Sequence, residues 1–161
     1  MLIKDIPRFI ISTLMCQLAG FIGSFFTIKS VSTWYLTLNK PLFSPPSWIF
    51  SPVWIILYLL MSISFYLVWT SKSKNKKTAL NFFLIQISFN TLWPILFFGL
   101  KSISLAFIDI VLLRIFILIT ISPFYKISKM SSYPLTPYIL WVSFAMILNF
   151  SIFMINWNKK V

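Results

Sequence analysis

The chain has 161 residues, 59% of them hydrophobic and only 10% charged, with a formal charge of +12. A soluble domain carries about 25% charged residues, and two acids (Asp5 and Asp109) with no Glu and no His cannot coat a water-facing surface. The same poverty leaves no basis for a His- or carboxylate-based metal centre, and the single Cys16 excludes an internal disulfide.

The positive charge does not form a nucleic-acid footprint, and no nucleic-acid partner is expected. Lysines cluster between apolar runs, at Lys72, Lys74, Lys76 and Lys77, at Lys126 and Lys129, and at Lys159 and Lys160. Cations in such places flank membrane spans and meet lipid head groups.

A bilayer core needs about 20 apolar residues per helix. Five segments meet that length, at about 9–28, 48–69, 79–100, 102–122 and 135–157. The expected fold class is therefore all-α, one domain over 1–161, an integral membrane bundle of five transmembrane helices. The first span follows Lys4 and Arg8, as a signal peptide would. It is too long for an h-region and no A-x-A site follows, so it reads as a retained helix. Its Gly20 and Gly23 let a neighbouring helix come close.

The 29–46 connection is rich in aromatics and Pro and reads as a lid. In "SPPSW", Ser44 or Ser47 is a candidate cap for the second span, and Pro52 is expected to bend it. Beyond it Trp54, Tyr58, Met61 and Phe65 share one helical face. In the third span Gln86, Asn90, Trp93 and Phe97 do the same. Gln86 reads as helix–helix glue, while Asn90 reads equally as glue or as a ligand contact.

The fourth span carries Asp109 and Arg114, both costly in lipid. Five residues apart they diverge by about 140° on a helix, so they are not natural partners. Asp109 is expected to bond hydroxyls or backbone of a neighbour and Arg114 to reach a polar site across the bundle. A proton relay is the alternative. On the fifth span Trp141, Phe144, Ala145, Leu148 and Asn149 lie on one side, with Ala145 either at a helix crossing or at a gap in the wall. Trp34, Tyr35, Trp69, Tyr133, Tyr138 and Trp157 fall near span ends, where an interfacial belt accounts for them. Trp54, Trp93 and Trp141 lie deeper, and three indoles on three helices can line one cavity for a flat apolar ligand.

At these residues the sequence resembles the TspO/MBR family, the tryptophan-rich sensory and translocator proteins. "WYLTLNKPLFSPPSWIFSPVWIILYLLM" fits the family pattern W-Y-x-x-L-x-K-P-x-x-x-P-P-x-W-x-F-x-P-V-W-x-x-L-Y-x-x-M. "FNTLWPILFF" and "PYILWVSFAMILN" fit its third- and fifth-helix motifs. The resemblance implies a five-helix bundle, a homodimer, and a pocket near one end closed by the first loop. It implies porphyrins such as protoporphyrin IX, or hydrophobic drug-like molecules, as ligands, with no cofactor required. Carried over, the pocket comprises Tyr35, Pro45, Trp54, Tyr58, Asn90, Trp93, Trp141, Phe144, Ala145 and Leu148. All but Tyr35 and Pro45 were also marked by spacing.

The resemblance further implies a transport or stress-sensing role. The alternatives are light- and oxygen-dependent porphyrin breakdown at pocket tryptophans, and a scaffold or signalling role. The animal cholesterol motif is not matched, since Phe150 stands at its Tyr position and no basic residue follows within five. Orientation is contested. Eight Lys/Arg against five favour a cytoplasmic N-terminus, whereas the family places the first loop and C-terminus there, and the family is followed. No transit peptide is evident. A bacterial inner membrane is the expected location, with the mitochondrial outer membrane as the alternative.

Overall fold

The computed structural model describes residues 5–157, and helix is the only regular structure among them. The helices are α1 (Ile6–Val31), α2 (Trp34–Thr37), α3 (Phe50–Trp69), α4 (Lys76–Pro94), α5 (Ile103–Ile127), α6 (Lys129–Ser132) and α7 (Leu135–Asn156). Five of them are long and apolar enough to cross a membrane. Of the residues in the charge count, Lys4, Lys159 and Lys160 lie outside the described residues.

Local chemistry sets the ends. Asp5 caps α1, its Oδ1 accepting from the Arg8 amide at 3.1 Å, with a proline in the first turn. Ser102 caps α5 by accepting from the Leu105 amide at 3.4 Å. The preceding Lys101 takes a left-handed conformation (φ 54°) to turn the chain tightly. The start of α3 differs from expectation. A single 3₁₀ turn, Ser47–Ile49, leads into it, and neither Ser44 nor Ser47 supplies a capping bond. The helix proper begins at Phe50, so Pro52 falls in its first turn, where a missing N–H is tolerated.

At the other end of α4, Pro94 lacks the amide that would continue the α-helical ladder. The chain widens into a π turn, Ile95–Gly99, closed by the Leu100 amide on the Ile95 carbonyl at 2.8 Å. The wider turn brings two consecutive rings, Phe97 and Phe98, into the interior.

Packing neighbours define the order α1, α3, α7, α5, α4 around the bundle, with α4 returning to α1. The bundle carries apolar side chains outward, among them Ile10, Leu14, Leu18, Phe21 and Phe25 on α1. Buried Ser62, Gln86, Asn90, Asp109, Thr120 and Asn149 lie inside. Outward hydrocarbon with inward polar groups is the arrangement lipid requires, and the protein is a multi-pass membrane protein.

Two apolar clusters make the interior. One joins Met61, Phe65, Phe83, Leu113, Ile117, Phe124 and Tyr138 across α3, α4, α5 and α7. The other packs Trp34, Tyr35 and Leu38 onto Phe97, Phe98, Leu148 and Ile152. The second cluster corrects the interfacial reading of Trp34 and Tyr35, which are buried at 8% and 6% exposure.

Candidate functional site: an aromatic cavity inside the bundle

A cavity of about 780 Å³ lies among α1, α2, α3, α4, α5 and α7. Of the ten residues carried over from the family pattern, eight line it: Tyr35, Trp54, Tyr58, Asn90, Trp93, Trp141, Ala145 and Leu148. Pro45 and Phe144 are not on the lining. Pro45 belongs to the irregular 38–46 segment. Phe144 turns its ring to Phe43 of that segment and to Trp141, with centroids 6.4 and 5.6 Å away, and so stands behind the wall.

The tryptophans come from three helices. Trp54 packs beside Tyr58, ring centroids 5.6 Å apart, and Trp93 stacks on Phe97 at 4.9 Å. Trp141 meets Phe50 edge-on at 6.2 Å. The indole N–H groups of Trp93 and Trp141 are buried and have no hydrogen-bond partner among the described residues; the same holds for the Asn149 amide oxygen. Asn149 also lines the cavity, with its amide nitrogen directed to the Ile103 carbonyl at 3.4 Å.

Asn90 is occupied on both sides. The Tyr58 hydroxyl donates to its Oδ1, and its Nδ2 donates to the Tyr138 hydroxyl at 2.9 Å. Tyr138 in turn donates to Gln86 Oε1 at 2.7 Å. This chain ties α3, α4 and α7 together, with Gln86 as helix–helix glue and Asn90 both part of the network and on the cavity lining. Tyr138 is 0% exposed, which corrects its assignment to the interfacial belt. Tyr133 and Trp157, by contrast, are exposed at span ends.

Sequence reasoning undervalued α1. Gly20, Gly23, Thr27 and Val31 line the cavity. The small residues at 20 and 23, followed by 27 and 31 on the same helical face, were the signal. A Cβ on Gly20 would run into the Tyr58 ring, and one on Gly23 would come within 2.6 Å of Pro94 Cγ. Exposed members of the lining, Phe21 and Ile28 on α1 with Trp48 and Ile55 on or beside α3, mark a lateral mouth between these two helices. Gln17, also on the lining, bridges the two helices there, donating to the Ile55 carbonyl at 3.3 Å.

The 29–46 segment is partly helical. Its first residues finish α1, and α2 adds one turn. Tyr35 from α2 covers one end of the cavity, edge-on to Phe98 at 5.8 Å, and burial pushes its phenol pKa up. Lys40 lies 4.3 Å over the Tyr35 ring and donates to its carbonyl at 2.9 Å. Asn156 fastens the following stretch from the far end of the chain. It accepts from the Asn39 amide at 3.1 Å and donates to the Asn39 carbonyl at 2.8 Å.

The two charges of α5 diverge. Arg114 Nε donates to Ser143 Oγ on the adjacent α7 at 3.0 Å, so it finds a polar partner on a neighbouring helix rather than across the bundle. Asp109 is buried, and neither carboxylate oxygen has a hydrogen-bond partner among the described residues, contrary to the bonding expected of it.

Fold and cavity together define a five-helix membrane protein with an aromatic chamber open sideways between two of its helices. The model of the TspO/MBR family matches residues 12–155, and the chain belongs to that family. It is 41% identical over 152 residues to the tryptophan-rich protein TspO of Archaeoglobus fulgidus, covering 94% of this chain and 99% of the relative. It is 36% identical to protein CrtK of Rhodobacter capsulatus, covering 97% of each. It is 33% identical to the translocator protein of Bos taurus, covering 92% of this chain and 89% of that protein.

Proposed function

We propose that the cavity binds porphyrins of the protoporphyrin IX type, together with flat hydrophobic molecules of similar shape, in a transport or stress-sensing role. The observation that carries this reading is the convergence of Trp54, Trp93 and Trp141 on one chamber of about 780 Å³. That volume falls in the range of roughly 300–1,000 Å³ typical of small-molecule sites. Indole faces offer a conjugated macrocycle extensive contact. The unpaired N–H groups of Trp93 and Trp141 suit carbonyl or carboxyl oxygens at its rim, since a buried donor left unbonded costs about 1–3 kcal/mol. The mouth between α1 and α3 gives an apolar ligand a route from the lipid.

The test is quenching of intrinsic fluorescence by protoporphyrin IX. Trp54→Phe and Trp141→Phe should each weaken binding about 2- to 10-fold, the worth of one aromatic contact. Unchanged affinity in both variants would remove the assignment.

We further propose a homodimer in a bacterial inner membrane. The location is supported by identities of 35–43% to archaeal and bacterial relatives, against 31–33% to mammalian ones. Mass determination of the detergent-purified protein tests the dimer, and fractionation of the source cells tests the membrane.

A further inference from the structure

The two ends of the bundle differ in charge. One end gathers the start of α1, the α3–α4 connection, the end of α5 and α6. The Asp5 amide donates to the Tyr66 hydroxyl at 3.1 Å, and the Arg8 guanidinium lies 5.7 Å over the Trp69 ring, so the first turn of α1 abuts the last turn of α3. Helix α6 packs on α3 at the same level. Among the described residues this end carries Arg8, Lys72, Lys74, Lys76, Lys77, Lys126 and Lys129, seven cations, and the single acid Asp5. That acid is already paired with Arg8 at 3.3 Å. The lid end carries Lys29, Lys40 and Lys101, and Lys40 is turned inward onto Tyr35.

Six of the seven cations are exposed. Lys76 alone is half-buried, donating to the Trp69 and Ser71 carbonyls at 3.3 and 3.0 Å. Tyr125 and Tyr133, also exposed, stand at the same end. Exposed tyrosines at span ends mark the head-group layer. The connection that carries most of the lysines spans only residues 70–75 between α3 and α4. It is too short to project past that layer towards a water-borne partner. The cations therefore ring the bundle at the depth of lipid phosphates rather than above it.

We infer that this end of the bundle is a binding surface for anionic phospholipid head groups, each lipid presenting a phosphodiester with net negative charge. Basic residues near such a surface act together, each strengthening attachment about fivefold at moderate salt, and salt weakens the sum. The inference is independent of what the cavity binds.

The test uses the full chain purified in detergent, with thermal unfolding followed as phosphatidylglycerol is titrated in. Phosphatidylcholine of identical acyl chains and inorganic phosphate serve as the comparison arms. Phosphatidylglycerol should raise the unfolding temperature saturably, and 0.5 M salt (on the order of a 4 Å screening length) should weaken the effect. Lys72→Gln/Lys74→Gln/Lys77→Gln should shift the lipid midpoint at least about tenfold, whereas Lys29→Gln/Lys101→Gln at the lid end should leave it in place. Equal stabilisation by phosphatidylcholine would overturn the inference, and so would an equal shift in the lid-end variant. Inorganic phosphate reproducing the effect would overturn it as well, by reducing the surface to a general anion site.

Discussion

The Tyr58 ring lies against the backbone of Gly20 so closely that a methyl group on Gly20 would overlap its edge. Gly20 is thus the seat of a residue that lines the cavity and anchors Asn90. An alanine in the middle of a helix normally gains up to about 1 kcal/mol over glycine. Here the ring would have to move or α1 to retreat, and overpacking of this kind costs about 1–3 kcal/mol. Gly20→Ala should therefore lower the unfolding temperature in detergent and weaken protoporphyrin IX quenching. A stabilised variant with unchanged quenching would show that the contact does not constrain the site.

Much of this architecture is legible in the sequence for a physical reason. Hydrophobic thickness forces span length, so five apolar runs correspond to five long helices, with the largest end shifts at α4, which stops six residues early at Pro94, and α5, which runs five residues further to Ile127. Helical periodicity marks Trp54, Tyr58, Asn90, Trp93, Trp141, Ala145, Leu148 and Asn149, which line the cavity, but it marks Met61, Phe65, Gln86 and Phe144 equally, and these do not. Tertiary context decided the remainder. Tyr138 is the fourth residue of α7, which by position suggests a head-group depth. Its side chain instead reaches inward to Asn90, Gln86 and the Trp54 ring, and Tyr138 is fully buried. Pro94 announces a break, but nothing in composition says that the chain will widen into a π turn rather than stop. Helix α2 is a single turn, too short to be stable alone, and it exists because Trp34 and Tyr35 are held by Phe97 and Phe98.

The hydroxyl of Tyr138 both accepts from Asn90 and donates to Gln86. Tyr138→Phe removes both bonds while leaving the ring in place. One amide hydrogen of Asn90 and the carbonyl of Gln86 are then stranded in an apolar interior, at a cost of about 1–3 kcal/mol for each group. Asn90→Leu should cost less in the Tyr138→Phe background than in the parent protein, because the partner is already lost. Thermal unfolding of the four proteins in the cycle measures this, and strict additivity would contradict a shared network.

If the chamber binds porphyrin without consuming it, illumination in air should bleach bound protoporphyrin IX no faster than the same porphyrin in detergent alone. The chain has no His and no Glu, and among the described residues no carboxylate is on the lining of the chamber. Its tryptophans are the groups able to react with photogenerated oxygen species. Faster bleaching in the protein that slows in Trp54→Phe/Trp141→Phe would assign the chamber a degrading role instead. Absorbance decay under constant light distinguishes the two.

The pairing of Asn156 with Asn39 bridges residues 117 positions apart through two hydrogen bonds, one to the backbone N–H and one to the backbone carbonyl of Asn39. A side-chain amide used this way imitates a strand partner and satisfies backbone groups that an irregular segment otherwise leaves to water. It holds the segment after α2 to the end of α7, while Trp34 and Tyr35 hold its beginning through apolar contacts. Asn156→Ala should free the later part first. Amide hydrogen exchange should accelerate across 38–46, with the amides of α3 and α5 unchanged. Loss of two neutral hydrogen bonds is worth about 1–3 kcal/mol, so local opening should rise roughly 5- to 150-fold. Ligand release should quicken more than ligand capture if the segment closes over the chamber from the α2 end. Uniform acceleration of exchange across all five long helices would mean instead that Asn156 supports the whole bundle rather than its cover.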